Sequence, residues 1–331
     1  MESDAMAKLY YEKDASLKPL EGRRIAVLGY GIQGRAQALN LHDSGVEVVV
    51  GARAKGESWS AAGKDGLEVA KVPDAVASAD VTMMLIPDEV QPEVYAKDVA
   101  PKLRKGSTLE FAHGFNIRYG TIVPRKDLDV IMIAPKAPGA AVRSNFLRGS
   151  GVPSLLAIHQ DASGHARDTA LAIGKAIGST KVGVIETTFT EETETDLFGE
   201  QADLCGGMAE FVKSSFGVLV DAGYQPELAY FEVLHEFKMI VDLVQAGGIE
   251  NMWANVSNTA EYGGRTRGPR VIDDRVRKNM EALLKDIKSG AFARDWRSEY
   301  EKGMPTLTKA RKQEPDSRLE QVGRDVRRMF T

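Results

Sequence analysis

The chain has 331 residues, of which 43% are hydrophobic and 27% are charged, so it is long enough for two globular domains. Its formal net charge of −4 excludes the strongly basic surface that is typical of nucleic-acid-binding proteins. The single cysteine, Cys205, excludes an internal disulfide and a zinc–thiolate cluster, and it is typical of a reducing compartment. No basic stretch followed by an apolar one opens the chain, and no apolar run has membrane-spanning length, which predicts a cytoplasmic protein.

Short β-rich runs alternate with helical patterns in the first half of the chain, which predicts βαβ units and a parallel sheet. The pattern changes near Thr190, where strand-like runs end and long helical patterns begin. We therefore predict an α/β domain over residues 1–187 and an all-helical domain over residues 188–331. The predicted strands span residues 24–28, 46–50, 81–86, 108–112, 130–134, 155–158 and 181–185, and the predicted helices of the second domain span 193–222, 226–246, 270–289, 291–303 and 315–330.

A glycine-rich turn directly follows the first predicted strand and opens a helix rich in alanine and leucine. In a GxGxxG motif the first glycine allows the tight turn, the second lets the backbone approach a pyrophosphate, and the third lets the helix pack on the strand. Backbone N–H groups at the start of the helix then bind the diphosphate. We predict dinucleotide binding by all six residues of the turn: Gly29, Tyr30, Gly31, Ile32, Gln33 and Gly34.

The end of the second strand carries a cation where NAD sites carry an acid for the ribose hydroxyls. Arg53 stands there, and a cation at this position favours the 2′-phosphate of NADP. Ser58, a few residues later, can donate a hydrogen bond to the same phosphate. Both residues are predicted to bind the cofactor.

Polar residues also follow the next three strands, and ligands of doubly wound sheets gather outside the carboxyl ends of their strands. Taken singly, His113 is compatible with a structural loop histidine and Lys136 with a solvated lysine. Together, at adjacent strand ends beside a nicotinamide, they favour a catalytic site. The cofactor-binding prediction at these strand ends covers Asp88, Glu89, Val90, Gln91 and Gly139.

Two pairs of carboxylates lie at helical spacing in the second domain, Asp196 with Glu200 and Glu232 with Glu236. Residues four apart share a helix face, and carboxylates are costly to bury without a cation. Four acids without a histidine or cysteine cluster suit Mg²⁺. Two solvated helix faces remain an alternative, and Glu192 lies on the same stripe, so spacing alone does not select the ligands.

Six motifs in order carry a resemblance to a known family: a GYGxQG turn, an AHGF strand end, an APKAPG loop, a DLFGEQ helix, an E-x-x-x-E helix and a VSNTAEYG segment. Over residues 9–329 the chain resembles the ketol-acid reductoisomerases (acetohydroxyacid isomeroreductases) of the short class I form. The resemblance implies a Rossmann-like N-terminal domain and an all-helical, knotted C-terminal domain. It also implies Mg²⁺-dependent alkyl migration in 2-acetolactate or 2-aceto-2-hydroxybutyrate, followed by NAD(P)H reduction, in valine and isoleucine biosynthesis.

The resemblance also implies roles for individual residues. Two Mg²⁺ ions would be bound, with Asp196 bridging both and Glu200 completing one site. Glu232 and Glu236 would serve the other ion, and Ser257 would donate a hydrogen bond to the substrate.

In the same family the AHGF histidine, here His113, is an active-site residue, and Lys136 is placed to assist proton movement. The short form is at least a dimer whose active sites draw on both helical domains. We therefore expect the apolar turns of this domain to be buried against a partner, namely Phe211, Val212, Phe216, Leu219, Val220, Phe231, Leu234 and Phe237.

The chain departs from the family pattern in two places. Ala140 and Ala141 replace a polar pair after the APKAPG loop. In the loop after Arg53, Gly56 stands where the family has a serine. Glu57 adds an acid that would repel a phosphate or accept from the ribose hydroxyls of NADH, and a neutral, solvated Glu57 is the alternative. We therefore predict a bispecific enzyme that binds NADPH and NADH with a modest NADPH preference.

Two alternatives differ in what they require. A β-hydroxyacid dehydrogenase also joins a Rossmann domain to a helical one, but it works with a catalytic lysine and without metal, so Mg²⁺ dependence separates the two. A non-catalytic dinucleotide-binding sensor needs the glycine turn but neither Lys136 nor the four carboxylates, and turnover of 2-acetolactate excludes it.

Overall fold

The computed structural model describes residues 7–329 of the chain. They divide after Thr193 into two compact units, and the division falls within a single helix, Phe189–Gly199. None of the helices in the described part of the chain combines the length and the apolar character needed to cross a bilayer.

The first unit contains one mixed sheet, with strand order β1-β9-β8-β7-β6-β5-β2-β3-β4 among the described residues. Neighbouring strands from β7 through β4 run parallel, whereas β8 is antiparallel to β7 and β1 is antiparallel to β9. The order reverses between β2 and β5, which creates the crevice where doubly wound sheets bind ligands. The strands are β1 Leu9–Tyr10, β2 Arg24–Leu28, β3 Glu47–Gly51, β4 Glu68–Ala70, β5 Val81–Met84, β6 Thr108–Phe111, β7 Asp129–Pro135, β8 Ser154–Gln160 and β9 Val184–Thr187.

Helices cover both faces of this sheet, so the central strands are hydrophobic on both sides. In β2, Ile25 and Val27 pack into one hydrophobic cluster, and Ala26 and Leu28 pack into the other. The helices of this unit are α1 Ile32–Asp43, α2 Glu57–Lys64, α3 Val72–Ser78, α4 Gln91–Val94, α5 Phe115–Arg118, α6 Gly139–Leu147, α7 Ala166–Ala176 and α8 Phe189–Gly199. A π-helical turn, Tyr95–Val99, extends α4, and 3₁₀ turns lie at Glu12–Asp14, Lys18–Leu20 and Ser179–Lys181.

The second unit is helical, and its small core comes from three helices. Val212, Phe216, Tyr230, Leu319 and Val326 form the centre of that core. The helices are α9 Gly206–Asp221, α10 Pro226–Tyr230, α11 Glu236–Ala254, α12 Asn258–Val271, α13 Asp274–Lys288, α14 Ala291–Glu301, α15 Pro305–Gln313 and α16 Arg318–Arg327. π-Helical turns lie at Glu200–Leu204 and Phe231–His235, and a 3₁₀ turn lies at Glu314–Asp316.

The predicted strands are confirmed within a few residues at their ends, and the predicted parallel arrangement is confirmed from β7 through β4. A seven-residue β8 runs antiparallel to β7, because the connection through α6 returns the chain without a full crossover. The short edge strands β1 and β4 also escaped prediction. Two or three residues are too few to display an alternating pattern.

Helix α12 is absent from the prediction, because its glycines and proline were interpreted as breaks. Gly264 instead allows packing, since a Cβ there would lie 2.5 Å from the ring of Trp253. A glycine inside a helix costs only about 1 kcal/mol, which such packing offsets. Helix α15 was missed as well, and the predicted end of the last helix, Phe330, lies outside the described residues.

Most of the apolar residues expected to be buried against a partner already pack, fully or in part, within the chain. Val212 and Phe216 are buried, and Leu219, Val220, Phe231 and Leu234 pack against the same core within the chain. Phe211 is the exposed member of the set, at 44%. Exposed apolar side chains lie instead at Leu204, Met208, Val218, Leu228, Met239, Val241, Ile249 and Tyr262.

Candidate active site

The three glycines of the turn after β2 have different surroundings. A Cβ on Gly29, where φ is +96°, would lie 2.8 Å from the Leu85 carbonyl oxygen, and one on Gly34 would lie 2.3 Å from the Gly29 carbonyl oxygen. Nothing lies within 4 Å of the corresponding position on Gly31. The first and third glycines are therefore required by packing, whereas the second leaves the backbone open at the start of α1, where a pyrophosphate would bind.

Tyr30 stabilises this turn through a buried ring and a hydrogen bond to Asp65. Its ring is buried, and its hydroxyl donates to Asp65 Oδ2 at 2.8 Å. Arg35 donates to both oxygens of the same carboxylate, at 2.7 and 3.0 Å. Burial, followed by the hydrogen bond to Asp65, raises the pKa of Tyr30. The side chain of Tyr30 therefore bonds within the protein. Ile32 is the exposed side chain of the turn, at 77%.

The loop after β3 brings two cations and one acid to the start of α2. Arg53, Lys55 and Glu57 are exposed, and the Gly56 N–H donates to the Arg53 carbonyl at 3.0 Å. Lys55 adopts a left-handed φ of 62° to close this turn. Glu57 and the half-buried Ser58 open α2, whose N-terminal N–H groups favour an anion.

The loop after β5 is fixed by the amide of Gln91, which is buried. Its Nε2 donates to the Ile86 carbonyl at 2.9 Å, and its Oε1 accepts from Asn116 at 3.0 Å. Asn116 also donates to the Asp88 carbonyl at 3.0 Å. Gln91 therefore shapes the loop from inside, while Glu89 and Val90 are half-buried at its surface.

A single buried carboxylate joins the ends of β6 and β7. Glu192 of α8 is 1% exposed, and its Oε1 accepts from Lys136 Nζ at 2.9 Å. Its two oxygens lie 3.2 and 3.1 Å from His113 Nδ1, and Oε2 also accepts from the Gly114 N–H at 2.9 Å. A Cβ on Gly114 would lie 2.8 Å from the Phe189 carbonyl oxygen, so this glycine lets α8 approach the strand end.

The electrostatics of this cluster keep the carboxylate ionised. Burial acts to raise the pKa of Glu192, but the hydrogen bond and charge of His113, with the charge of Lys136, hold it below its ordinary value. An ionised carboxylate only accepts hydrogen bonds, so it favours the tautomer of His113 that carries hydrogen on Nδ1. In that tautomer Nε2 is the nitrogen that carries a lone pair and can accept a proton.

The four carboxylates proposed as metal ligands lie on helices that contain π-helical turns. Asp196 is one turn after Glu192 on α8, and Glu200 opens a π-helical turn in which its carbonyl accepts from the Cys205 N–H. Glu232 lies in the second π-helical turn, and Glu236 follows it; both are exposed. π-Helical turns are frequent at functional sites.

Ser257 is the N-cap of α12, and its Oγ accepts from the Ala260 N–H at 3.2 Å. Because the oxygen is used as an acceptor, the hydroxyl hydrogen is still able to bind an external oxygen.

Sequence reasoning did not single out Glu192. Glu192 lies four residues before Asp196, on the same helix stripe, and this spacing is the only signal that the sequence contains. What identifies Glu192 is burial combined with two cationic neighbours, and both depend on loops that are distant in the chain.

Comparisons with known proteins agree over nearly the whole chain. The family description "Acetohydroxy acid isomeroreductase, NADPH-binding domain" matches residues 19–183, and "Ketol-acid reductoisomerase, C-terminal domain" matches residues 189–331. A "Ketol-acid reductoisomerase (NADP(+))" of Pyrobaculum neutrophilum is 56% identical, covering 98% of this chain and 99% of that protein. One of Methanocaldococcus jannaschii is 52% identical, with 98% of each covered.

A solved structure described as an NADH-preferring ketol-acid reductoisomerase from an uncultured archaean gives a TM-score of 0.95 at 46% identity. The match covers 98% of this chain and 99% of that one. Both halves of the chain, in sequence and in fold, therefore agree with one family. This chain belongs to the ketol-acid reductoisomerases.

Proposed function

We propose that this protein is an active ketol-acid reductoisomerase. It converts 2-acetolactate or 2-aceto-2-hydroxybutyrate into the corresponding 2,3-dihydroxy acid by alkyl migration and reduction, in valine and isoleucine biosynthesis. The observation that carries the proposal is the buried Glu192, which holds His113 and Lys136 together at strand ends beside the glycine turn. A mere nucleotide-binding protein has no need of such a cluster.

The nicotinamide cofactor fits the first unit. The open backbone at Gly31 and the start of α1 would hold the diphosphate, and Arg53 with Ser58 would hold the adenosine end. When bound, the nicotinamide supplies the two electrons of the reduction. We assign nucleotide binding to residues 1–187 and metal binding to residues 188–331.

Two magnesium ions fit the chemistry of the four carboxylates. Asp196, Glu200, Glu232 and Glu236 offer only hard oxygen ligands, and among residues 7–329 no lysine or arginine forms a salt bridge with Glu232 or Glu236. When bound, the ions supply Lewis acidity to the hydroxyl and carbonyl oxygens of the substrate.

The chain's own residues then orient the substrate and move protons. Glu192 holds Lys136 Nζ in place through a hydrogen bond, so the ammonium group of Lys136 can release a proton to a developing alkoxide. His113 is fixed through Nδ1 and exchanges a proton at Nε2. The hydroxyl of Ser257 donates to a substrate oxygen.

We also propose a homodimer, or a multiple of dimers, built through the helical unit. Helices α11 and α12 bury no residue within the described chain, although α11 carries Met239, Val241 and Ile249. A helix with apolar residues exposed along this length needs a covering surface. A second copy supplies it, with Asp196 and Glu200 of one subunit facing Glu232 and Glu236 of the partner subunit.

The cofactor loop supports use of both NADPH and NADH. Arg53 and Lys55 attract a 2′-phosphate, since charge-assisted bonds are strong. Gly56 offers no hydroxyl, and Glu57 repels the phosphate at the start of α2. The relatives are named for NADP(+), whereas the solved structure at 46% identity is described as NADH-preferring, so this family admits both preferences.

An assay with 2-acetolactate tests the function. We expect oxidation of NADPH that requires both 2-acetolactate and Mg²⁺ and stops with a chelator. Turnover of a simple β-hydroxyacid without Mg²⁺ would instead support a β-hydroxyacid dehydrogenase. Nucleotide binding with no turnover of either substrate would leave the sensor alternative.

A further inference from the structure

Gln33 lies in the glycine turn, yet its side chain binds the protein. Its Nε2 donates to the Ala137 carbonyl at 2.8 Å, and Ala137 directly follows Lys136. The amide is half-buried, and the bond spans 104 residues of sequence. The nucleotide turn is therefore tied directly to the loop that carries the lysine.

Further contacts along the same face of α1 support this tie. Gln37, which is fully buried, donates to Gln33 Oε1 at 3.4 Å. Asn40 donates to the Val142 carbonyl at 3.4 Å and accepts from Arg143 at 2.8 Å. Residues 33, 37 and 40 share one helix face, so a polar stripe of α1 docks on α6 and the loop before it.

The two segments also touch through their backbones. A Cβ on Gly139, the first residue of α6, would lie 2.0 Å from the Ile32 carbonyl oxygen, which is nearer than any real contact. Ile32 is the first residue of α1. The start of α1 and the start of α6 are thus in direct contact, and a displacement of one is transmitted to the other.

We propose that Gln33 is a positioning residue that couples the nucleotide turn to Lys136, an inference that rests on the proposed function. Two hydrogen bonds anchor the backbone of the loop around the lysine. The Lys136 N–H donates to the Pro153 carbonyl at 2.9 Å, and the carbonyl of the next residue, Ala137, accepts from Gln33. With both anchors in place, Lys136 Nζ reaches Glu192 at 2.9 Å. Loss of the second anchor leaves the Ala137 carbonyl without its donor, so the loop loosens and Lys136 spends less time at Glu192.

The test replaces Gln33 with methionine, which keeps the length of the side chain and removes the donor. Gln33→Met should lower kcat between about tenfold and a hundredfold, the range for slight misplacement of a reacting group. The Kd for NADPH, measured by nicotinamide fluorescence, should stay within about twofold, and the pH profile of kcat should shift as the Lys136–Glu192 pair weakens.

Gln160→Met is the matched control, because the Gln160 amide also donates to backbone carbonyls, those of Arg125 and Leu128, at another place in the same unit. It should leave kcat, Kd and the pH profile unchanged. Gln33→Asn, whose amide is one methylene too short to reach Ala137, should reproduce the loss of kcat and decides the matter if Gln33→Met does not fold.

A rise in the Kd for NADPH with kcat unchanged would overturn the coupling and make Gln33 a simple nucleotide contact. Wild-type kcat and pH profile in both Gln33 variants would overturn it as well. Lys136→Met separates the proposed role of Lys136 from its proposed coupling to Gln33. If Lys136→Met retains activity, the proposed role of Lys136 is wrong, whereas an inactive Lys136→Met beside normal Gln33 variants contradicts only the coupling.

Discussion

The two units of this chain differ in how completely they satisfy their own side chains. In the nucleotide-binding unit the central strands are buried on both faces, and Glu192, 1% exposed, is fully engaged by His113, Lys136 and a backbone N–H. In the helical unit, α11 and α12 bury nothing, and Glu232 and Glu236 are exposed. The catalytic cluster of the first unit is therefore held within one chain, whereas the second unit leaves acids and apolar side chains exposed, and we propose that cations and a second subunit engage them.

The comparison also separates two uses of a carboxylate. The cost of burying Glu192 is offset by permanent partners, so its role is to hold other side chains in place. The exposed acids of the helical unit pay no such cost, and a divalent ion can engage them when it binds. Mutations of the two kinds of acid should therefore fail in different ways.

The largest effect is expected from Asp196→Asn in the helical unit. Because an amide cannot supply the charge of a bridging carboxylate, isomerisation should fall by roughly a thousandfold or more, about 4 kcal/mol in the barrier. Reduction of an already isomerised 2-keto acid should fall less. The measurement is turnover of each substrate across a range of Mg²⁺ concentrations. Asp203→Asn is the control, because Asp203 is an exposed acid in the π-helical turn Glu200–Leu204. Near-normal isomerisation by Asp196→Asn would remove the metal assignment.

Glu192→Gln comes next and probes the nucleotide-binding unit. The amide keeps the shape but loses the charge that fixes Lys136 and the tautomer of His113, so kcat should fall by about a hundredfold. The Mg²⁺ concentration for half-maximal activity should change little in comparison. Glu191→Gln, one residue away and exposed, provides the control. A variant rescued by high Mg²⁺ would show that Glu192 belongs with the metal ligands rather than with the positioning of His113.

The nucleotide-binding unit shows which features a sequence can predict and which it cannot. The strands, the glycine turn and the positions of His113 and Lys136 at strand ends follow from local patterns, because hydrophobic runs and GxGxxG spacing act over a few residues. Glu192 did not emerge, since it is defined by contacts across 79 and 56 residues of sequence that no local pattern records.

In the helical unit, the sequence predicts helices and apolar faces but not how those faces pack. The apolar residues of this unit predict that surface must be buried, but they do not reveal which side chains pack within the chain. Phe216 packs within the chain, whereas Val218, two residues later, is 69% exposed. Helix α12 was not predicted, because its glycines and proline are typical of a break. Such residues are compatible with a helix when a neighbour, here Trp253, fills the space that a glycine leaves.

A smaller effect is expected at the cofactor loop. Glu57→Ser should raise the NADPH:NADH ratio of kcat/KM several-fold, because it removes a repelling charge and adds a hydroxyl, and Arg53→Ala should lower the ratio. Steady-state assays with both cofactors measure this. A wild-type preference for NADPH of more than about a thousandfold, roughly 4 kcal/mol, would contradict the weakened phosphate site argued here.

The last effect concerns the pH dependence of stability in the nucleotide-binding unit rather than activity. Glu110 is fully buried in β6; its Oε1 accepts from the Ile133 N–H at 3.3 Å, and its Oε2 has no hydrogen-bond partner in the described chain. Burial raises its pKa from an ordinary 4.5 to about 8. The folded state therefore keeps a proton that the unfolded state releases, and this contribution to stability is present in full below pH 4.5 and is lost as the pH rises through about 8.

Glu110→Gln replaces this carboxyl with a group that stays neutral. Relative to the wild type, the variant should gain stability as the pH is raised from about 5 to 9, which melting temperatures at a series of pH values will show. The exposed Glu93→Gln should follow the wild type at every pH. Parallel pH curves for Glu110→Gln and the wild type would mean that Glu110 is already ionised in the folded protein.

The central claim, that one chain supplies a complete nucleotide unit but only part of a metal site, is tested most directly by mixing two inactive variants. Asp196→Asn and Glu232→Gln should each be inactive alone. After subunit exchange, a two-fold symmetric dimer carries one intact site in each mixed pair, so random mixing should restore about a quarter of wild-type activity. Native mass spectrometry confirms that mixed dimers form. Their presence without any recovered turnover would contradict the account and show that each chain builds its metal site alone.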